Sequence, residues 1–393
     1  MAGPLEGIRV IDITKTIAGP YSASLLGDMG ADVTKVEPPG TGDDFRYAAP
    51  IVEGESYYFM MANRNKKSIT LNLKNEKGKK ILFDLVKDAD VFIESYRPGT
   101  VKRLGVDYKA IKEVNPQIVY CSISGFGQDG PLRDRAAYDL VLQSMGGIMS
   151  VTGSPGGPPT PVGVPIIDVL TALIAVYGIL SSLVFRERTG KGQYVDTSLF
   201  EASMVPLMQM AAVYFNTGVP PKPGQKQEYL VPYGVFNAKD GQFVLEAGND
   251  ATWKRLCHAL ALDDMADDPR FQKNYDRAKY RQEILPRIEG ALRTREAEEW
   301  IEILGDAGVP AGPIYNLDQI FKHPQTVHRK MIVEVDHPKA GRTKLIGIPT
   351  KFSETPAEIS LPPPMLGQHT EEILQRIGYT AEQFKELKNE GVV

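Results

Sequence analysis

The stretch GIRVIDI (residues 7–13), followed by AGPYSASLLGDMGA (18–31) and DVTKVEP (32–38), is typical of two apolar strands joined by a helix. The alternation continues to residue 125, with strands predicted at 67–73, 90–94 and 117–125 and helices at 76–89 and 107–115. Near-continuous apolar strands that alternate with helices indicate a parallel sheet covered on both faces. We therefore expect a doubly wound, mostly parallel, Rossmann-like α/β fold, with ligands at the carboxyl ends of the strands. The first turn, TKTIAGP (14–20), has no GxGxxG, which disfavours a dinucleotide-binding dehydrogenase.

Length and composition narrow the class of protein. A chain of 393 residues is longer than one hydrophobic core usually serves, so we expect two domains. The net charge is −4 and no long block of like charge is present, so we expect neither a nucleic-acid nor a membrane partner. The two cysteines, Cys121 and Cys257, imply no disulfide framework and favour a reducing cytoplasm. The five histidines are scattered without ligand spacing, so we expect no metal site.

Two segments suggest where the domains divide. The stretch NTGVPPKPGQKQEYLVP (216–232) is rich in Pro, Gly and Lys and is typical of a linker. GVFNAKDGQFVLEAG (234–248) follows and predicts a β-hairpin around Asp240–Gly241. We expect a large domain made of residues 1–215 and 331–393, a smaller α+β domain at 233–308, and a second linker at 309–330.

Asp168 precedes the apolar run VLTALIAVYGILSSLVF (169–185). This run is marginal for a membrane span and is flanked by Asp168 and Arg186, so a buried core helix is favoured. The free N–H groups and the dipole at the helix start are expected to favour the ionised form of the acid. Such an acid is either a helix cap or a nucleophile, and the residues alone leave both interpretations open.

Cations near the predicted strand ends offer charge for phosphate groups. They are Lys66, Lys67, Lys74, Arg97 and Lys102. Taken singly, most lysines of this kind only solvate a surface. The chain contains neither a GxSxG nucleophile elbow nor a P-loop.

Several ordered motifs together resemble one enzyme family. They are LEGIRVIDITKTIAGP (5–20), ADVTKVEPPGTGD (31–43), NRNKKSITLNL (63–73), ILFDLVKDADVFIESYRPG (81–99), YCSISGFGQDGP (120–131), RTGKGQYVDTSL (188–199) and LGQHT (366–370). This set resembles the class III CoA-transferases, which include formyl-CoA transferase and carnitine CoA-transferase. The resemblance covers nearly the whole chain. The same fold family also contains α-methylacyl-CoA racemases, so fold alone does not choose the reaction.

The resemblance implies roles for particular residues. It makes Asp168 the catalytic nucleophile and CoA thioesters the substrates, with no cofactor or metal. The positions that it matches to CoA-contacting segments are Ile17, Ala18, Leu71, Asn72, Leu73, Lys74, Ser95, Tyr96, Arg97, Arg103, Ala136, Ala137, Tyr138 and Asp139. Two positions depart from formyl-CoA transferase. Pro38 stands where relatives carry an arginine near the adenosine, and residues 247–250 (AGND) replace a glycine tetrad.

The same residues help to choose between reactions. The racemases use a His-Asp pair where this chain has Ala137 and Tyr138, so the second base for proton transfer is missing unless folding brings one in. A transferase needs only a nucleophile, a CoA pocket and oxyanion donors, for which Gly125–Phe126–Gly127 and Gly146–Gly147 are candidates. We therefore favour transfer over a racemase-like isomerase or a non-catalytic CoA-binding protein.

The resemblance also suggests the substrates and the assembly. VPYGVF, EAGND, GVPAGPI and PPPMLGQHT resemble members that handle succinyl-CoA and dicarboxylic acids, so we expect a succinyl-CoA donor and a short dicarboxylate acceptor. The family forms interlocked homodimers in which both chain ends build each large domain. We expect the same of this chain.

Overall fold

The computed structural model describes residues 3–393. The strands are β1 Arg9–Asp12, β2 Asp32–Glu37, β3 Ile51–Val52, β4 Glu55–Ser56, β5 Lys66–Thr70, β6 Val91–Glu94, β7 Val119–Ser124, β8 Tyr194–Ser198, β9 Tyr233–Asn237, β10 Gln242–Glu246, β11 Ala311–Pro313, β12 Ile332–His337 and β13 Gly341–Ile346. The helices of the first half are α1 Ala18–Asp28, α2 Tyr57–Met61, α3 Glu76–Val86, α4 Thr100–Leu104, α5 Tyr108–Val114, α6 Asp139–Met145, α7 Ile148–Val151 and α8 Ile166–Thr189. Those of the second half are α9 Leu199–Met204, α10 Met208–Thr217, α11 Lys226–Tyr229, α12 Asp250–Ala259, α13 Asp263–Asp267, α14 Asn274–Lys279, α15 Arg281–Leu292, α16 Ala297–Asp306, α17 Leu317–Lys322, α18 Pro324–His328, α19 Thr370–Arg376 and α20 Ala381–Asn389.

A six-stranded sheet forms the centre of the larger unit. Its order is β5-β2-β1-β6-β7-β8, and every neighbouring pair is parallel. The prediction of a large parallel sheet is therefore confirmed. The strand order reverses between β1 and β6, where Val10 of β1 lies opposite Val33 of β2 and Val91 of β6. In such sheets the crevice beyond the carboxyl ends of the strands at this reversal is the usual ligand site.

Two segments distant in sequence share the core of this unit. The unit contains the chain up to Ile148, then Pro161–Gln209 and Pro324–Val393. Ile373 and Leu374 of α19 and Leu387 of α20 pack in the same apolar cluster as Ile81 of α3 and Phe92 of β6. The C-terminal segment is thus part of the hydrophobic core beside the sheet.

The second unit has its own sheet and core. It contains Met149–Thr160 and Met210–His323, with an antiparallel sheet in the order β11-β10-β9. The predicted hairpin is confirmed, because β9 pairs with β10 and the Ala238 N–H donates to the Gly241 carbonyl at 2.8 Å. β11 lies inside the stretch that the sequence assigned to the second linker. It is a strand because it pairs with β10, with Val244 opposite Gly312.

Helix α8 begins earlier than its apolar run suggested. It starts at Ile166, so Asp168 lies inside the first turn and not ahead of it. By length and composition α8 could cross a membrane. In the fold it packs against α1, β7 and β8, as a core helix does, although Leu173 and Tyr177 remain exposed.

The apolar stretch EASMVPLMQMAAVYF (201–215) predicts a single helix, and the structure divides it. Val205–Leu207 forms a 3₁₀ turn between α9 and α10. Pro206 explains the break, because proline lacks the N–H that the helical ladder requires.

Candidate active site

A cavity of about 210 Å³ opens beyond the carboxyl ends of β1, β6 and β7. It is lined by Lys15, Thr16, Ala18, Gly19, Asp44, Ser95, Tyr96, Arg97, Pro98, Ile123, Ser124, Gly125, Arg133, Arg135, Ala137, Tyr138, Asp168 and Leu199. All of these residues belong to the larger unit. The cavity lies at the reversal of strand order, where a ligand site was expected.

Seven of the fifteen residues matched by resemblance meet at this cavity. They are Ala18, Ser95, Tyr96, Arg97, Ala137, Tyr138 and Asp168. The others, namely Ile17, Leu71–Lys74, Arg103, Ala136 and Asp139, are outside its lining. Leu71 is buried in the apolar core, and an Arg103 Nη donates to the Thr100 hydroxyl at 2.9 Å. The assignment of all these residues to CoA binding stays a prediction.

Asp168 is half-buried in the cavity wall and its carboxylate is unpartnered. No side chain or backbone group among residues 3–393 donates a hydrogen bond to it or forms an ion pair with it. Burial and the nearby Asp139 carboxylate raise the pKa of Asp168 to about 7. An unpartnered acid with a pKa near neutrality, facing a cavity, is the arrangement expected of a reactive group.

Asp139 caps α8 from another helix. One of its carboxylate oxygens accepts the Ile167 N–H at 2.7 Å and the Asp168 N–H at 3.2 Å. The other accepts from the side-chain amide of Gln143. The expectation that the helix start favours ionised Asp168 is therefore wrong. The N–H groups of Ile167 and Asp168 donate instead to the Asp139 carboxylate. The negative charge of Asp139 opposes ionisation of Asp168.

The turns after β1 and β6 are joined beneath the cavity. The Ser95 hydroxyl accepts the Lys15 N–H at 2.9 Å, and a Glu94 carboxylate oxygen accepts the Tyr96 N–H at 2.8 Å. Burial raises the pKa of Glu94 to about 7. These contacts fix two of the loops that line the cavity.

Cations line the cavity in numbers that the sequence did not reveal. Arg133 and Arg135 come from the loop between β7 and α6, and Lys15 from the turn after β1. Within residues 3–393, Arg97 and Arg135 have no ion-pair partner and their side chains form no hydrogen bond. The pattern RDRAAYD (133–139) was a possible signal, since two arginines precede a segment already assigned to the site.

Lys66 does not supply charge for a phosphate group. Its Nζ is fully buried and donates to an Asp12 carboxylate oxygen at 2.8 Å and to the Pro20 carbonyl at 2.7 Å. The sequence placed Lys66 among the available cations because it adjoins a strand end. The fold turns it inward towards β1.

Two of the proposed oxyanion donors are already used. The Gly127 N–H donates to the Ser124 hydroxyl at 2.9 Å, and the Gly146 N–H donates to the Leu142 carbonyl at 2.8 Å. Gly146 and Gly147 are also outside the cavity lining. Gly125 is in the lining, and a Cβ there would lie 2.5 Å from the Ala137 Cβ. Only a glycine therefore fits this approach of the two loops.

The titratable side chains of the lining are carboxylates, tyrosines and cations. None of the residues that line the cavity is a histidine. Across the described chain, no group of three or more His, Cys, Asp or Glu side chains is placed to hold a metal ion. The cavity offers the unpartnered carboxylate of Asp168, several cations, and a second carboxylate, Asp44, which pairs with Lys15 at 3.4 Å.

Comparison with known proteins identifies a family that this chain matches. The family described as CoA-transferase family III matches residues 5–370. The chain is 38% identical over 393 residues to succinyl-CoA:glutarate CoA-transferase of Homo sapiens, covering 99% of this chain and 90% of the relative. It is 40% identical over 353 residues to acetyl-CoA:oxalate CoA-transferase of Acetobacter aceti, covering 89% and 90%. A crystal structure of a CAIB/BAIF family protein from Brucella suis superposes with a TM-score of 0.83 at 36% identity, covering 96% of this chain and all of that chain.

Proposed function

This chain belongs to CoA-transferase family III and is a CoA-transferase, and we propose that it moves CoA from succinyl-CoA to a short dicarboxylic acid through covalent intermediates on Asp168. The observation that carries the proposal is the Asp168 carboxylate, half-buried, unpartnered and facing a cavity lined by cations. A carboxylate without hydrogen-bond donors keeps its lone pairs available for attack on a thioester carbonyl.

The reaction begins with two exchanges at the donor. An Asp168 oxygen attacks the thioester carbonyl of succinyl-CoA, the carbon–sulfur bond breaks, and CoA leaves as the thiolate, so that a mixed anhydride of Asp168 and succinate is formed. The thiolate then attacks the aspartyl carbonyl of that anhydride and releases succinate. The resulting aspartyl-CoA thioester keeps the activation of the original bond.

The acceptor reverses these exchanges. Its carboxylate attacks the aspartyl thioester and expels the CoA thiolate, giving a second anhydride. The thiolate attacks the acceptor carbonyl of this anhydride, which yields the new acyl-CoA and regenerates the Asp168 carboxylate. Atoms and charge balance without water, so the site must keep water from the two activated intermediates.

The arginines support the choice of a dicarboxylate. A planar guanidinium binds a carboxylate through two parallel hydrogen bonds. The Arg97 and Arg135 side chains have no hydrogen-bond or ion-pair partner within the described chain, and the Arg133 side chain pairs with the adjacent Asp134. These cations suit the second carboxylate of a substrate whose first carboxylate reacts at Asp168. Two relatives are named for transfer of CoA with glutarate and with oxalate, which are short dicarboxylic acids.

Trapping the covalent intermediate tests the mechanism. Enzyme incubated with succinyl-CoA and hydroxylamine, without acceptor, is expected to carry a hydroxamate on the peptide that contains Asp168, detected by mass spectrometry. Asp44 lines the same cavity and is the internal control, because a carboxylate that only lies near the substrate stays unmodified. Labelling at Asp44 alone, or no labelling in an enzyme that turns over, would overturn covalent catalysis by Asp168.

A screen of donors against acceptors tests the substrate choice. Succinyl-CoA with C2 to C5 dicarboxylates is expected to give the highest rates. Chromatography of the CoA esters measures these rates. Preference for carnitine, an aromatic acid or a branched 2-methylacyl-CoA would refute this substrate class and leave the enzyme class intact.

Exposed apolar surface supports a dimer. Met208 and Phe215 of α10 are 71% and 79% exposed, and Tyr177 of α8 is 75% exposed. Large apolar side chains that are this exposed are often covered by a protein partner. The occupant that we propose is a second copy of this chain, interlocked with the first as the family resemblance implies.

Dilution tests the assembly. The wild type is expected to sediment as a dimer at protein concentrations down to the nanomolar range. The Tyr177→Lys variant is expected to form a weaker or wrongly assembled dimer. Tyr275→Lys is the matched control, because Tyr275 is 73% exposed and lies in the second unit. Rapid, reversible appearance of folded monomer would rule out interlocked subunits.

A further inference from the structure

A cluster of four buried charges lies behind the turn after β1. Its members are Asp12 of β1, Lys35 of β2, Lys66 of β5, and Asp43 in the loop after β2. None of them is more than 1% exposed. Asp12 pairs with Lys66 at 2.8 Å and Asp43 pairs with Lys35 at 3.0 Å. We call these four residues the buried charge cluster. None of them lines the cavity.

The buried charge cluster holds the backbone of the turn at several atoms. An Asp12 carboxylate oxygen accepts the Thr14 N–H at 2.8 Å, and the Lys35 Nζ donates to the Thr14 carbonyl at 3.0 Å. An Asp43 oxygen accepts the Thr16 N–H at 3.1 Å. The turn is therefore fixed from below, while Lys15, Thr16, Ala18 and Gly19 face the cavity from the same turn.

Thr16 shows why the turn needs this support. Its φ is +70°, in the left-handed region that β-branched residues rarely adopt. The conformation is unfavourable for a threonine and persists only where surrounding contacts impose it. The hydrogen bond from the Thr16 N–H to Asp43 is such a contact, and Lys35 holds the Asp43 carboxylate in place.

We propose that Asp43 and Lys35 are positioning residues for the CoA thioester. They hold Thr16 in its left-handed conformation and thereby set the wall of the cavity formed by the turn after β1. The proposal rests on the proposed function, since it assumes that this cavity binds the thioester. Neither residue touches the substrate, and both act through the turn.

The chain supplies a matched control for the loss of a buried ion pair. Arg64 and Asp28 are paired at 2.7 Å with side chains 4% and 1% exposed. Arg64 also donates to the Ile346 carbonyl, so this pair holds the C-terminal part of the chain and not the turn. Asp28→Ala and Asp43→Ala each leave one buried cation without its carboxylate, and both are expected to lower the melting temperature.

The two variants should differ in substrate binding. Asp43→Ala is expected to raise KM for succinyl-CoA about tenfold, since about that factor corresponds to the cost of an unsupported left-handed residue. Its kcat should change less than KM. Asp28→Ala should keep KM within about twofold of wild type. The dissociation constant of free CoA, measured by calorimetry, should follow KM in both variants.

A second substitution separates positioning from general stability. Thr16→Gly in the Asp43→Ala background should restore much of the lost affinity, because glycine adopts the left-handed region without a clamp. If Asp43→Ala does not fold, the double variant Asp43→Leu with Lys35→Met takes its place, since it removes the acceptor for the Thr16 N–H without leaving a buried charge unpaired.

The outcomes are distinguishable. An unchanged KM in a folded Asp43 variant, or an equal rise in Asp28→Ala, overturns the positioning role. Absence of transfer by the wild type with every donor overturns the proposed function instead, and the calorimetric comparison with CoA still reports on the turn.

Discussion

The cavity and the buried charge cluster both remove carboxylates from water, but the pKa of the carboxylate is raised in the cavity and lowered in the cluster. Burial alone would raise the pKa of Asp12, but Lys66 and Lys35 lower it below the ordinary value. Burial also raises the pKa of Asp168, and its charged neighbour Asp139 adds to the rise, to about 7. The comparison teaches that pairing, and not depth, separates a structural carboxylate from a reactive one in this fold.

The largest expected effect comes from removing the unpaired carboxylate. Asp168→Asn should lower kcat on the order of 10⁴-fold or more, because no other group can form the covalent intermediates. The melting temperature should not fall, since no contact of the fold depends on the Asp168 side chain. Steady-state rates and a thermal melt check both statements. The control is Asp44→Asn at the other carboxylate of the lining, and equal losses in both variants would remove the distinction between the acids.

Glu94 provides a second test, because its surroundings lie between those of unpartnered Asp168 and those of Asp12, which is paired with lysine. It is buried, and its hydrogen bonds come from the Tyr96 N–H and the Ser122 hydroxyl, without a cation. Burial raises its pKa from 4.5 to about 7, so the folded state holds the proton more tightly than the unfolded state. Its contribution to stability is complete below pH 4.5 and is lost as the pH rises through 7.

The matching experiment compares wild type with Glu94→Gln across that window. The free energy of unfolding of the wild type, relative to the variant, should decrease by on the order of 3 kcal/mol between pH 4.5 and 7. Denaturant titrations at several pH values measure the difference. A difference that does not change with pH would show that Glu94 is stabilised as an anion, like the carboxylates of the buried charge cluster.

The unpaired cations provide a third test. Arg135→Gln should raise KM for a dicarboxylate acceptor by roughly tenfold, the equivalent of one lost charge-assisted hydrogen bond. A monocarboxylate acceptor of the same length should be affected less, since it lacks the second carboxylate. Arg293→Gln is the control, because Arg293 lies in the second unit. Equal effects on both acceptors would assign Arg135 to the CoA phosphates instead.

The smallest effect concerns the coupling between two acids. The kcat/KM of the wild type should rise with pH through about 7, as Asp168 loses its proton and becomes nucleophilic. Asp139→Asn keeps an oxygen to accept the N–H groups of α8 and removes the negative charge, so the midpoint should move to lower pH. Rates between pH 5 and 9 measure the shift. A midpoint that stays in place would leave burial as the sole cause of the raised pKa.

Parts of the fold could be read from local patterns alone. The alternation of apolar strands and helices predicted the parallel sheet, and Asp240–Gly241 predicted the hairpin. The sequence also singled out Asp168, although its choice as nucleophile came from resemblance and not from its position. β11 and the break at Pro206 were missed, the first because its pairing partner β10 is more than sixty residues away.

The sequence by itself determined the class of fold and the candidate nucleophile, because hydrophobic periodicity and ordered motifs are properties of neighbouring residues. Only the tertiary structure decided the electrostatics. It placed Asp139 against the head of α8 from 28 residues away and Lys66 against Asp12 from 54. A charge interacts with whatever lies within a few ångströms in space, so its partner, and with it the difference between a structural and a reactive acid, is fixed only when the chain has folded.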